Sequence, residues 1–155
     1  MDYDRLIALL RALQQHDVDY VLVGGVALNV HGIVRATEDV DLFIRPDPPN
    51  VAKLRVALHS VWPDPDIDQI TAADLDGPYP TIRYGPPGEE FVIDFVARLG
   101  TAFRFEDLQA EDVVLDGVRV RVASPETLYR MKKDTVRPID RADAAELKDK
   151  FGLKD

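Results

Sequence analysis

Tyr20-Val-Leu-Val23 runs straight into Gly24-Gly25, and thirteen residues later Asp39-Val-Asp41 opens a second apolar stretch through Leu42, Phe43 and Ile44. Short apolar runs bounded by glycine or proline read as buried strands. Strand alternation places Asp39 and Asp41 on one face. Asp-x-Asp alone carries little weight, since the chain has 21 aspartates and six such pairs. Only the 39/41 pair sits on an otherwise apolar strand. Two like charges on a half-buried strand are costly unless a cation or another partner compensates them. Adjacent hard oxygen ligands suit Mg²⁺, which takes carboxylates together with substrate phosphates. The alternative is a strand whose solvent face is acidic.

Gly24-Gly25 allows close backbone approach, and the helix expected over 26–31 would present free N–H groups to phosphate oxygens. No Gly-Lys-Ser/Thr follows, so this is not a Walker A loop, and the dinucleotide fingerprint is incomplete. A plain strand-to-helix turn is the other explanation. The third feature is Asp94 in Phe91-Val-Ile-Asp-Phe-Val96. An isolated buried carboxylate is expensive, and one strand away Asp94 can stand beside Asp39 and Asp41. Three carboxylates there can hold cations and take a proton from a hydroxyl. Alternatively, Asp94 is paired with Arg83 or Arg98.

The remaining pattern is that of one mixed α/β domain over residues 1–155. Apolar spacing predicts helices over 4–15, over 50–61 with Asn50 as N-cap, over 124–135 with Ser124 as N-cap, and over 140–151. Strands are expected at 81–84 and 90–97, joined through Gly85-Pro-Pro-Gly88. A hairpin is expected around Asp116-Gly117. Residues 63–80, rich in Asp and Pro, read as a loop with at most one short strand.

Composition removes several function classes. There is no cysteine, which excludes disulfides, thiol nucleophiles and iron–sulfur clusters, and His16, His31 and His59 have no metal-ligand spacing. The net charge of −9 is uneven: residues 1–123 carry 11 basic and 21 acidic side chains, residues 124–155 carry 8 and 7. That balance argues against a DNA-coating protein but not against local polyphosphate binding. The aromatic residues are too dispersed for a base-stacking platform. No apolar run approaches a membrane span, and the acidic Met-Asp-Tyr-Asp start is unlike a secretory signal. The expected location is the cytoplasm.

Val21-Leu-Val-Gly-Gly-Val-Ala-Leu-Asn-Val-His-Gly-Ile-Val-Arg-Ala-Thr-Glu-Asp-Val-Asp-Leu42 resembles the signature of the nucleotidyltransferase superfamily with the DNA polymerase beta fold. It is most similar to small bacterial members related to the AbiE-type abortive-infection toxins. The resemblance implies an α/β (α+β) fold with a mixed sheet and flanking helices. It also implies that Asp39, Asp41 and Asp94 are metal-binding and catalytic, and that Gly24 and Gly25 hold nucleotide phosphates. Arg35 and Thr37 fall in the Arg-x-Thr-x-Asp segment of these members, with Arg35 either on phosphate or exposed without a role. Gly25 stands where many relatives have serine, and the gap to Asp39 is longer than in polymerase-like members; both features fit the small bacterial branch.

Lys132, Arg137, Asp140 and Asp143 are similar to a Lys-x4-Arg-x2-Asp-x2-Asp tract of the toxin-related members. The match implies that Lys132, Arg137 and Asp140 lie near the nucleotide, with the helices of 124–151 packed on the rest. A solvated basic helix face is the alternative. The implied activity is Mg²⁺- or Mn²⁺-dependent transfer of a nucleoside monophosphate from a nucleoside triphosphate to an acceptor hydroxyl, with release of pyrophosphate. The acceptor is left open among RNA ends, protein side chains and small molecules. A protein partner in a toxin–antitoxin pair is the other implied ligand, and a non-catalytic role by protein binding is the rival reading.

Overall fold

The computed structural model describes residues 1–135 and 137–155. Helices are α1 (Tyr3–Gln15), α2 (Gly24–Val30), α3 (Pro48–Val61), α4 (Ala72–Leu75), α5 (Pro125–Lys132) and α6 (Pro138–Phe151). Strands are β1 (Tyr20–Val23), β2 (Asp39–Ile44), β3 (Thr81–Tyr84), β4 (Val92–Val96), β5 (Arg98–Leu99), β6 (Phe103–Arg104), β7 (Ala110–Leu115) and β8 (Val118–Ala123). Six strands form one mixed sheet in the order β3-β4-β2-β1-β8-β7, and β5 and β6 make a separate small hairpin.

The central strands are apolar because they are covered: all four residues of β1 are buried, as are Leu42, Phe43 and Ile44 of β2. α1 contributes Leu6, Leu9, Leu10 and Leu13 to the core and packs on α3 and β8. α5 packs on α6 and also touches α2. β1 runs antiparallel to β2, while β2 runs parallel to β4. The end of β1 and the beginnings of β2 and β4 therefore meet at one end of the sheet.

Local chemistry explains most boundaries. Ser124 caps α5 by accepting from the Thr127 N–H, with Pro125 in the first turn. Asp116 and Gly117 both have positive φ, 48° and 77°, as a two-residue type I′ hairpin turn requires. Asn50 is not the N-cap of α3. Asp47 takes that place, accepting from the Asn50 N–H, and Pro48 and Pro49 lie inside the helix start. Proline at the first helical positions loses no intrahelical bond, so the prolines that end β2 also begin α3. Buried Asn50 instead ties the chain together, its amide bonding the Asp19 N–H, the Asp19 carbonyl and the Arg45 carbonyl. The 63–80 segment contains no strand; it forms a 3-10 turn at Pro65–Gln69 and the single turn of α4, capped by Asp64 and Thr71.

Candidate active site

Gly24 has φ +71°, a backbone conformation that L side chains rarely adopt, and a Cβ built there would collide with Asp41 Oδ2. Two independent constraints thus require glycine at this position. The absent side chain lets the Asp41 carboxylate lie directly over the turn between β1 and α2. At Gly25, a Cβ would meet Thr37 Cβ at 3.0 Å and Thr37 Oγ1 at 3.1 Å, so the Thr37 hydroxyl already crowds the place a serine would fill. Thr37 Oγ1 donates to the Asp39 carbonyl and accepts from the Asp39 N–H, shaping the entry to β2.

Asp41 and Asp94 are register partners on β2 and β4, which sets their carboxylates side by side. Asp39 is two residues before Asp41 on the same face. Burial, then the charges of Asp94 and Asp39, push the Asp41 carboxyl from its ordinary 3.8 up to about 6, against an opposing pull from Lys132. Crowding of like charges is the physical signature of a site that a cation would relieve. Among the described residues, no group of three or more His, Cys, Asp or Glu forms a ready metal cluster. A protein cation stands there instead. Arg83 donates from Nε and Nη2 to the two Asp94 oxygens at 2.9 and 3.1 Å, and Nη2 lies 3.4 Å from Asp39 Oδ2. Arg98 does not approach Asp94; it bonds the Gly77 carbonyl and lies near Asp76.

The C-terminal tract forms a second charged layer. Lys132 Nζ lies between Asp140 Oδ1 (3.1 Å) and Asp143 Oδ2 (3.2 Å). Arg35 Nε reaches Asp143 at 3.5 Å, and Arg137 Nε reaches Asp140 at 3.8 Å while remaining largely exposed. Burial alone would raise the Asp140 carboxyl, but the Lys132 hydrogen bond and charge, with Arg137, hold it below the usual range. Lys132 is therefore a half-buried lysine paired with two aspartates rather than part of a solvated basic face, and its charge is felt at Asp41. His31 belongs to the packing: its Nε2 is 2.8 Å from the Ala123 carbonyl and its ring meets Phe151 edge-on.

The family model of the AbiEii nucleotidyl transferase toxin of type IV toxin–antitoxin systems matches residues 7–149. The chain belongs to the AbiEii family. It is thus a nucleotidyltransferase by family, and several solved structures share its fold at low sequence identity. ANT(2'')-Ia in complex with adenylyl-2''-tobramycin superposes with a TM-score of 0.56 at 16% identity, covering 95% of this chain and 87% of that one. The solution structure of the antibiotic-resistance factor ANT(2'')-Ia gives 0.57 at 15% identity over 96% and 83% of the two chains. An antigenic nucleotidyltransferase-like protein from Paracoccidioides brasiliensis gives 0.54 at 18% identity over 95% and 77%. No curated protein matches the chain in sequence. No helix among the described residues is long and apolar enough to cross a membrane.

Two participants at this AbiEii site are not evident as site residues in the sequence. Arg83 is legible only as one of two alternative partners for Asp94, and Asp143 only as the end of a motif. Alternation within Thr81–Tyr84 gives Arg83 a face, but only the β3–β4 register, with Arg83 opposite Asp94, puts it on the carboxylates.

The raised Asp41 carboxyl sets a pH dependence. Its folded-state pKa lies above the ordinary value, so its contribution to stability is complete below about pH 4 and lost as pH rises through about 6. Metal-free protein should lose at most about 3 kcal/mol from this source between about pH 4 and 8. Asp41→Asn should remove that dependence and melt at the same or a higher temperature at neutral pH. Thermal melts in chelator across this range check it; a pH profile identical in both proteins would contradict the assignment.

Proposed function

We propose that this chain transfers a nucleoside monophosphate from a nucleoside triphosphate to an acceptor hydroxyl and releases pyrophosphate, in a Mg²⁺- or Mn²⁺-dependent reaction. The observation that carries the reading is the pairing of Asp41 opposite Asp94 beside the Gly24 turn, with Asp39 on the same face. Carboxylates on one face of neighbouring strands suit a hard divalent cation that is itself completed by phosphate oxygens. Asp39 and Asp41, with Asp94, would hold the metal, which when bound supplies neutralisation of charge on the phosphates.

The chain's own residues supply the rest. Gly24 and Gly25 add no side chain of their own to a turn that Asp41 and Thr37 already face, and their backbone would meet the phosphates there. Asp94, whose side chain is 14% exposed, would draw the proton from the acceptor hydroxyl. Arg137, which stays largely exposed, would supply positive potential to a triphosphate, with Lys132 and Arg35 adding what their pairing with Asp140 and Asp143 leaves. Asp140 and Asp143 hold the lysine in place. Membership in a toxin family supports a protein antitoxin as the partner, and the absence of a transmembrane helix among the described residues is compatible with a cytoplasmic site of action.

The test is calorimetric titration with each of the four nucleoside triphosphates, with and without Mg²⁺. Mg²⁺ alone should bind weakly, and metal and triphosphate should each tighten the other. Failure of every triphosphate to bind at millimolar concentration, with or without Mg²⁺, would overturn the reading.

A further inference from the structure

Arg83 lies on the edge strand β3, and its side chain is 63% exposed, whereas that of its main partner Asp94 is 14% exposed. Edge-strand arginines normally extend into water, where an isolated pair gains little. This one folds back to place both nitrogens of one side of its guanidinium on one carboxylate, and to reach a second carboxylate from another strand. The groups it bridges are two of the three that the proposed function assigns to the metal. A guanidinium is also well matched to phosphate, which it binds in the same forked geometry. Mostly exposed, it can leave the carboxylates without disturbing the core.

We propose that Arg83 is the resident counter-cation of this site: it occupies Asp39 and Asp94 in the metal-free protein and transfers to the phosphates when metal and triphosphate enter together. This rests on the functional reading above and adds a residue to it. In the resting state the arginine relieves the repulsion among Asp39, Asp41 and Asp94, so a divalent cation arriving alone must displace it. A metal arriving with a triphosphate brings a new partner for the displaced guanidinium. Arg83 is thus a positioning residue that couples metal binding to nucleotide binding.

The experiment measures Mn²⁺ affinity by the paramagnetic resonance of free Mn²⁺, for wild type, Arg83→Gln and Arg83→Lys. Each protein is titrated without nucleotide and then with each of the four triphosphates at saturation. Without nucleotide, Arg83→Gln should bind Mn²⁺ about tenfold more tightly than wild type, because the competing charge is gone. Arg83→Lys, which keeps the charge and loses the fork, should fall between. With triphosphate present the advantage of Arg83→Gln should disappear or reverse. Nucleotide-free Mn²⁺ affinity that is unchanged or weaker in Arg83→Gln overturns the proposal; if that variant does not fold, the same result in Arg83→Lys does so. Wild type that binds Mn²⁺ with triphosphate while neither variant tightens without it refutes the role of Arg83 and leaves the nucleotidyltransferase mechanism standing. Wild type that takes up no Mn²⁺ with any triphosphate refutes both.

Discussion

Asp39→Ala or Asp41→Ala should lower incorporation of labelled nucleotide by about a thousandfold or more, with the fold retained. The expectation follows from what these carboxylates do in the resting protein. Asp41 contributes repulsion rather than cohesion, since burial and its acidic neighbours push its carboxyl up to about 6, and Asp39 has only a long, exposed pairing with Arg83. Removing Asp41 relieves that repulsion and removing Asp39 costs little, while either removes a ligand from the proposed metal site, so activity should fall without a matching loss of stability. A residue that merely held the sheet together would lower both. The assay pairs radiolabelled triphosphates with host lysate, total tRNA and small hydroxylated compounds as acceptors, with pyrophosphate release as a readout independent of acceptor. Either variant retaining activity within about tenfold of wild type would defeat the metal–carboxylate mechanism. Silence of the wild type, together with tight binding of a partner protein that Asp39→Ala leaves intact, would favour action by binding alone.

How far this site is legible in the sequence depends on which interactions are local. The Gly24 turn and the shared face of Asp39 and Asp41 follow from strand alternation and from glycine's freedom at positive φ, both short-range properties. Asp94 is conspicuous because a carboxylate stands in the apolar run Phe91–Val96. What joins them is register: Asp41 opposite Asp94, and Arg83 opposite Asp94 on the other side. The β2–β4 pairing spans more than fifty residues, including α3 and the irregular 63–80 segment, and no pattern within either strand selects it over a shift of two. For the same reason Arg83 is visible only as an alternative partner of Asp94, and the helix start at Asp47 is obscured by prolines that serve both β2 and α3. The C-terminal tract shows the opposite case. Its resemblance to the toxin-related members implies a positive nucleotide contact, but the structure commits much of that charge to Asp140 and Asp143.

That neutralisation makes Lys132→Ala a stability mutation as well as a functional one. Lys132 is 14% exposed in its side chain and Asp143 is 5% exposed, so the pair is largely withdrawn from water. Breaking a buried pair by removing one member typically costs about 3–5 kcal/mol, because the other charge is left uncompensated. Here Arg35 remains near Asp143, and Arg137 and the Thr135 hydroxyl remain near Asp140, so the expected cost is lower, about 2–4 kcal/mol. For a domain of this size that corresponds to a fall in Tm of roughly 5–12 °C. The pH dependence carries the opposite sign to that of Asp41. Asp140 has a depressed pKa, so the stability it gains from Lys132 is present above its ordinary value and is lost as pH falls through the depressed one. The Tm difference between wild type and Lys132→Ala should therefore be full at neutral pH and shrink below about pH 4. Adding Asp143→Asn to Lys132→Ala should recover part of the loss at neutral pH, since an amide needs no counter-charge. Lys132→Ala that melts with wild type at neutral pH would show that the lysine is not structurally required, and any loss of triphosphate use would then be a direct effect on the nucleotide.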